Sequence, residues 1–545
     1  MRNRPPRSPL SSNNGAMRDL SMAGRDFHPS FLIARGLVGT FSFLFRQARR
    51  SQAHADYLAN ARAIREGEAA LKLREGRIGT IADAQALNMV VSHEAFSGSY
   101  MGCLNGVPLI NNSDKHEMIV GLAGSGKSTT VAIPKIIGMG MGTNPESVVC
   151  IDIKGELWGA TSAGRTILDG VEPIIINPWG MYGLPSTRLN LFEDLKVMAA
   201  AGRPIKDAVL AKVAMIHPSP DSKGANAWIA AAALRVSTCI LGHLAECEPE
   251  RACPAVMADI STFSQSDFAE LLLGLKSSPA CGGWVADIAS KLLDQYGEAD
   301  DPKYFEWVME EYASAWEMFG KGSVLREETL ETDFNFAQLK QKARAVYIMI
   351  PPRYLISHGK YVALLLDTLI DIIAAARGPV RVSFICDEFV NIPKAKSTVQ
   401  ALRLYRSEGI RMVVFAQDRE GFSKYKDEGG YKPFEENSIG LYWGIRDGAH
   451  MRDIEARAGY KYSLVSGVNA AIGERVNSGG HNASLQRLPV LPVDEIAQIA
   501  DGRAILEIPG QRLFTVERPF WKDLPFCAGL IRDLRTDPLP DIDHL

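Results

Sequence analysis

"MIVGLAGSGKSTTVAIPKIIG", residues 118–138, runs from a short apolar strand, through a loop with three glycines and a lysine, into an apolar helix. Gly121 to Ser128 fit the pattern GxxxxGK[ST]. A strand before the loop and a helix after it let backbone N–H groups and the positive helix end converge on phosphate. Lys127 is then expected on the β/γ oxygens and Ser128 on Mg²⁺. The loop residues expected to hold a nucleotide are Gly121, Ala123, Gly124, Ser125, Gly126, Lys127, Ser128 and Thr129. A plain glycine-rich turn is the alternative, and the flanking strand and helix count against it.

Hydrolysis requires a second group, an acid at the end of a neighbouring buried strand. "RVSFICDEF", residues 381–389, supplies a pair. Asp387 is expected to complete the metal shell and Glu388 to polarise the attacking water; the competing reading is a helix N-cap. The next strand, "RMVVFAQ", ends in Gln417, where a polar side chain could report the γ-phosphate. Between these strands the stretch "VQALRLYRSEGIR" reads as a basic helix. Arg403, Arg406 and Arg411 on it are candidates for a finger reaching a neighbouring subunit's nucleotide, because a planar, permanent cation suits the spread charge of the transition state. A solvated helix face is the alternative for at least two of the three.

The order of elements places these motifs in an α/β fold. Apolar, β-branched runs at 147–152, 173–177, 344–350, 381–386, 411–416 and 439–444 read as buried parallel strands. Helical patterns such as "GKYVALLLDTLIDIIAAAR" separate several of them, as right-handed crossovers require. Between 177 and 344 the rhythm stops, and "AWIAAAALRVSTCILGHL", "SDFAELLLGL", "WVADIASKLLDQY" and "KYFEWVMEEYASAWEMF" read as helices. The expected organisation is therefore a basic N-terminal segment (1–50), a helical lead-in (51–94), a nucleotide-binding α/β domain (95–190 and 341–525), an inserted all-α domain (191–340) and a C-terminal tail (526–545).

At 545 residues, with 46% apolar and 23% charged residues, the chain has the balance of a soluble globular protein with more than one ordinary core. Its net charge of -3 conceals nine arginines and two aspartates within residues 1–50, so nucleic-acid binding cannot be read from overall charge. That start reads as a disordered tail or as a contact for anionic lipid or a DNA backbone. "FLIARGLVGTFSFLF", residues 31–45, falls short of the roughly 20 apolar residues of a membrane span and is interrupted by Arg35. An interfacial, partner-docking or buried amphipathic helix is expected there. The eight cysteines lie mostly in apolar runs without a CxxC pair, which suggests a reducing compartment and no structural zinc.

Taken in order and spacing, "GLAGSGKSTTVAIPKII", "SVVCIDIKGELWGATS", "VYIMIPP", "FICDEF", "FAQ", "ENSIGLYWGIRD" and "RLPVLPVDEIAQI" resemble the type IV secretion coupling proteins of bacterial conjugation, the TraG-like group, over roughly residues 95–525. The strings "IDIKGE" and "LPVDEI" make the resemblance specific. It implies a RecA-like ATPase using ATP and Mg²⁺, assembled as a hexamer at the inner membrane, with an all-α domain that receives cargo. The implied partners are single-stranded DNA bound to a relaxase, protein effectors, and the proteins of the secretion channel. The Walker A set falls on Gly121, Gly126, Lys127 and Ser128, the Walker B pair on Asp387 and Glu388, the sensing glutamine on Gln417, and the arginine finger most nearly on Arg406. Trp228 falls near the start of the all-α domain.

Two departures stand out. Relatives usually begin with a pair of membrane helices and none is visible here, so the resemblance implies a variant that is cytoplasmic or reaches the inner membrane peripherally, through a partner or its basic start. Ile153 stands where many relatives have proline. Beside the motor reading stand a docking platform in which nucleotide only sets assembly, and a DNA translocase of the FtsK kind. The acidic stretch at 298–319 suits a solvated face or a dock for basic cargo.

Overall fold

The computed structural model describes residues 76–217, 227–297, 302–392, 394, 396–469 and 480–540, together with residues 47 and 62. The apolar stretch at 31–45 and the basic start lie outside them. Gly76 onward forms one compact unit.

The unit is built on an eleven-stranded sheet. In chain order its strands are β1 (Ser99–Leu104), β2 (Val107–Asn111), β3 (His116–Gly121), β4 (Ser147–Asp152), β5 (Ile174–Ile176), β6 (Ala345–Met349), β7 (Val382–Cys386), β8 (Ile410–Ala416) and β9 (Ser438–Trp443). A separate hairpin, β10 (Tyr460–Asn469) with β11 (Gly480–Pro489), precedes the last two sheet strands, β12 (Arg503–Glu507) and β13 (Phe514–Glu517). The order across the sheet is β2-β1-β13-β12-β9-β3-β8-β7-β4-β6-β5. From β9 to β5 every pairing is parallel. From β9 to β2 every pairing is antiparallel.

The parallel half follows from composition. "SVVCID", "AVYIM", "VSFIC" and "IRMVVFA" are buried at every position, as strands covered by helices on both faces must be. The helix Gly359–Ala375 is buried over most of its length, and it carries the crossover from β6 to β7. The six expected strands are found, and the expected parallel sheet is extended by four antiparallel strands at one edge. Between β5 and β6 the described residues hold helices and turns and no strand. There Ala227–Cys247 packs against Pro302–Trp316 and Lys206–Ile216. Ala227–Cys247 is also the one described helix long and apolar enough, by length and composition, to cross a membrane; just over half of its apolar window is buried within the protein.

The basic stretch before β8 differs from its expected form. The helix ends at Leu404, Arg406 lies in the turn after it, and Arg411 is the second residue of β8. Arg411 is fully buried, with Nη1 donating to both Glu146 oxygens at 2.9 Å and Nη2 to the Ser113 carbonyl at 2.8 Å. It is therefore not a finger; the apolar run "MVVFA" drew the preceding residues into the strand and carried the arginine inside.

Arg411 belongs to a buried charge network. Glu117 on β3 accepts from Lys135 Nζ at 2.6 Å and from Asn111 Nδ2 at 2.9 Å, and lies 3.8 Å from Arg411. Burial drives the Glu117 carboxyl upward, but Lys135 and Arg411 outweigh it and hold the group below its ordinary value. Burial pulls Lys135 down against the opposing attraction of Glu117. Removing one member strands an uncompensated charge, at a cost of about 3–5 kcal/mol. Glu117→Gln should therefore lower the denaturation midpoint strongly in urea unfolding, whereas Arg188→Ala, which breaks exposed pairs to Asp333 and Glu331, should cost less than about 1 kcal/mol. Equal effects would show that the network is not a structural tie.

Candidate nucleotide site

The loop after β3 takes its shape from glycine and one tryptophan. Gly124 and Gly126 have φ of +70° and +81°, where a side chain is strained. At Gly121 the constraint is space, since a Cβ there would lie 2.4 Å from the Trp443 ring. Trp443 Nε1 donates to Ser125 Oγ at 2.8 Å, and Ser125 in turn donates to the Leu122 carbonyl at 2.5 Å. The Arg518 guanidinium lies 3.8 Å over the same ring and donates to Thr130 Oγ1 at 3.0 Å. Burial lowers Arg518 to about 10. The loop is thus braced from β9 and from the end of β13, and its helix opens with a wide turn at Ser128–Ala132 before the regular turns of Ile133–Met139.

Lys127 Nζ donates to the carbonyls of Gly121 at 2.8 Å and Leu122 at 3.1 Å. Burial lowers its pKa, with Asp387 and Glu388 opposing. The two acids follow β7 directly. Asp387 is raised to about 6, first by burial and then by the charge of Glu388, with Lys127 opposing. Glu388 has a φ of +51°, an uncommon conformation for a residue with a side chain. No side-chain cap bond is made by Glu388; its Oε2 instead accepts from Asn391 Nδ2 at 2.7 Å. The turn beyond is held by Lys424, whose ammonium donates to the Phe389 carbonyl at 2.8 Å and also to that of Ile392.

These elements enclose a cleft of about 420 Å³. Ala123, Gly124, Gly126, Lys127, Ser128, Thr129, Asp387, Glu388 and Gln417 line it together. Gly121 and Ser125 are not on its wall; they support the loop from beneath, one by admitting Trp443 and the other by bonding it. Ser128 and Asp387 offer hard oxygen donors of the kind Mg²⁺ takes alongside phosphate and water. Arg406 lies elsewhere, with Nε 2.9 Å from Asp114 Oδ2 and both side chains about half exposed. Arg403 Nη2 donates to the Glu428 carbonyl at 3.0 Å.

Sequence reasoning missed part of the wall. Ile153 and Lys154 come from the loop after β4, Glu156 from the first turn of the helix that follows it, and Arg535 from the far end of the chain. The "IDIKGE" string carried the first three without revealing that they face the phosphate loop; nothing local marks Arg535. The β4 loop is rigid for visible reasons. Asp152 Oδ2 accepts from the Trp158 N–H at 2.7 Å, and Gly155, at φ +73°, admits the Tyr182 ring where a Cβ would lie 2.3 Å away. Tyr182 donates its hydroxyl to the Lys154 carbonyl at 2.5 Å. Burial, aided by the charge of Asp387, raises Asp152 to about 7.

The profile of the family described as type IV secretory system conjugative DNA transfer matches residues 85–530. The chain belongs to that family. Among solved structures it is similar to the plasmid coupling protein TrwB in complex with the non-hydrolysable ATP analogue ADPNP, at 14% identity over 82% of this chain and 94% of that one, with a TM-score of 0.55. TrwB in complex with ADP and Mg²⁺ matches at 15% identity, over 82% and 94% of the two chains, with a TM-score of 0.51. No curated protein matches. The likeness to TrwB concerns the fold, and with it the architecture of this type IV secretory system conjugative DNA transfer protein is the RecA-like one.

The raised carboxyls give the site a pH signature in the metal-free, nucleotide-free protein. Asp152 and Asp387 stay protonated in the folded state where an unfolded aspartate, with a pKa near 3.9, is ionised. The folded state then binds more protons at these two groups, so the stability they contribute is full below about pH 4 and is lost as pH rises through 6 to 7. Each unit separating native and unfolded values is worth roughly 1.4 kcal/mol. Asp152→Asn should consequently raise the melting temperature at pH 8, and by roughly a third as much at pH 5. A shift of equal size at both values would contradict the assignment.

Proposed function

We propose that this chain is an ATP-driven coupling protein that delivers relaxase-bound single-stranded DNA, or protein effectors, to a type IV secretion channel. The observation that carries the reading is the meeting of Lys127, Asp387, Glu388 and Gln417 on one cleft in a chain of the conjugative DNA transfer family.

The roles follow from the chemistry. The N–H groups of Ala123 to Thr129 receive the phosphates, and Lys127 leaves the loop carbonyls for the β/γ oxygens. Ser128 and Asp387 would hold Mg²⁺, which would supply positive charge against that of the phosphates. Glu388 accepts the proton of the attacking water, and Gln417 hydrogen-bonds at the γ-phosphate end. Arg406 acts on a neighbouring subunit's nucleotide. Its half-exposed pair with Asp114 is of the kind worth about 0–1 kcal/mol, weak enough to exchange for a phosphate. Such an arrangement calls for a ring, here a hexamer, and the helical interval 191–340 serves as the all-α domain that meets cargo. DNA is held through its phosphates, so binding weakens with salt.

Steady-state ATPase of the full chain with single-stranded DNA is expected to fall by about 100-fold or more in Lys127→Ala and Glu388→Gln. Mixing inactive Arg406→Ala with inactive Lys127→Ala should restore part of the activity, because each supplies what the other lacks across an interface. Wild-type turnover no higher than Lys127→Ala, with cargo binding intact in both, would replace the motor with a docking platform.

A further inference from the structure

The pairing that holds β7 beside β8 stops short of the chemistry. Its last partners are Cys386 and Val414, whereas Glu388 and Gln417 lie two and three residues farther along the chain. The proposed base and the proposed γ-phosphate contact therefore stand beyond the ladder, and other bonds must fix the distance between them. Glu388 needs such support more than most residues. Its backbone, at φ +51° and ψ +46°, is left-handed, and a residue with a side chain persists there only where its surroundings over-determine it.

The bonds internal to the turn are few. The Asn391 N–H donates to the Glu388 carbonyl at 2.9 Å, and the Ile392 N–H to the Phe389 carbonyl at 3.2 Å. Further support comes from the stretch Glu420–Glu428, which starts three residues after Gln417. Lys424 reaches back from it and donates to the carbonyls of Phe389 and Ile392, at the two ends of the turn. Its ammonium also lies 4.7 Å from the Phe389 ring centroid and 5.5 Å from that of Tyr425, a placement that suits a cation. Phe389 is fully buried; its ring lies 5.7 Å from Tyr425, with planes within 7°, and 5.5 Å from Phe434. Packing of this kind does not by itself account for a lysine. Burial lowers Lys424 to about 8, a cost that an apolar side chain would avoid.

We infer that Lys424 is a positioning residue for hydrolysis, tying the turn that carries Glu388 to the segment that follows Gln417, so that the base and the γ-phosphate contact keep one spacing. The inference rests on the hydrolysis reading above. Lys424 does not line the cleft, so it acts through Glu388 and not on phosphate. Misplacing a reacting group by about 1 Å can cost about 100-fold in rate. Loss of the tie should therefore appear in turnover and not in nucleotide affinity.

The test joins steady-state ATPase with single-stranded DNA to calorimetric titration of ATPγS and Mg²⁺, both on the full chain. Lys424→Met, which keeps the length of the side chain and removes the donor, should lower kcat at least about tenfold and leave ATPγS affinity within about twofold. Lys424→Gln keeps N–H donors and should fall between Lys424→Met and wild type; it carries the comparison where Lys424→Met does not fold. In a Glu388→Gln background, Lys424→Met should lower the remaining rate by less than about twofold, because the group it positions is gone. Phe434→Leu thins the same packing without touching the lysine's bonds, and should lower the melting temperature while leaving kcat within about twofold. Unchanged kcat in Lys424→Met, equal losses of kcat and affinity, a full further loss in the Glu388→Gln background, or a matching loss of kcat in Phe434→Leu would each overturn the inference and leave the hydrolysis reading intact. Wild-type turnover no higher than that of Lys127→Ala would overturn the hydrolysis reading, and the inference with it.

Discussion

The phosphate loop is only as rigid as the elements at its two ends, and one buried carboxylate ties them together. Glu117 lies on β3 before the loop, and Lys135 lies on the helix after it. Their 2.6 Å contact fixes the angle at which strand and helix meet. Arg411 extends the tie to β8, and Glu146 extends it to the approach of β4. Strands β3 and β8 deliver the loop and Gln417, so the network sets the spacing of their ends. In a water-excluded interior such charges persist only when each is answered by another.

A second layer of support comes from the antiparallel half of the sheet. Trp443 at the end of β9 fills the space that Gly121 leaves and bonds Ser125, while Arg518, just past β13, lies over the indole and reaches Thr130. The edge strands thereby act on the site without lining it. Positioning of this sort serves a chemistry that depends chiefly on geometry and fixed charge.

How much could be read beforehand followed the strength of local signals. Fully buried parallel strands such as "SVVCID" and "MVVFA" announce themselves through unbroken apolar, β-branched residues, and Lys127, Asp387 and Glu388 through motif spacing. The antiparallel edge was harder. "RAILE" and "FTVE" are short and partly exposed, and so lack the long runs that identified the other strands. Arg411, the first residue of the expected strand 411–416, also reads as the end of the basic helix before it, because a single arginine there carries no sign of the buried Glu146 that answers it. Arg535 was invisible for a different reason. Its place on the wall depends on residues 530–539 docking at Gly159 and Gly164, and neither glycine points to a partner more than 350 residues away in sequence.

Glu388 carries an evolutionary implication of its left-handed backbone. At φ +51° a residue with a Cβ is held in a conformation costing on the order of 1–2 kcal/mol, one that glycine would adopt freely and asparagine more readily. If Glu388 is the base proposed above, drift toward stability at this position favours residues that cannot take that role, and only selection for turnover opposes it. A lineage released from that selection would exchange this glutamate early, leaving a firmer fold with an idle cleft.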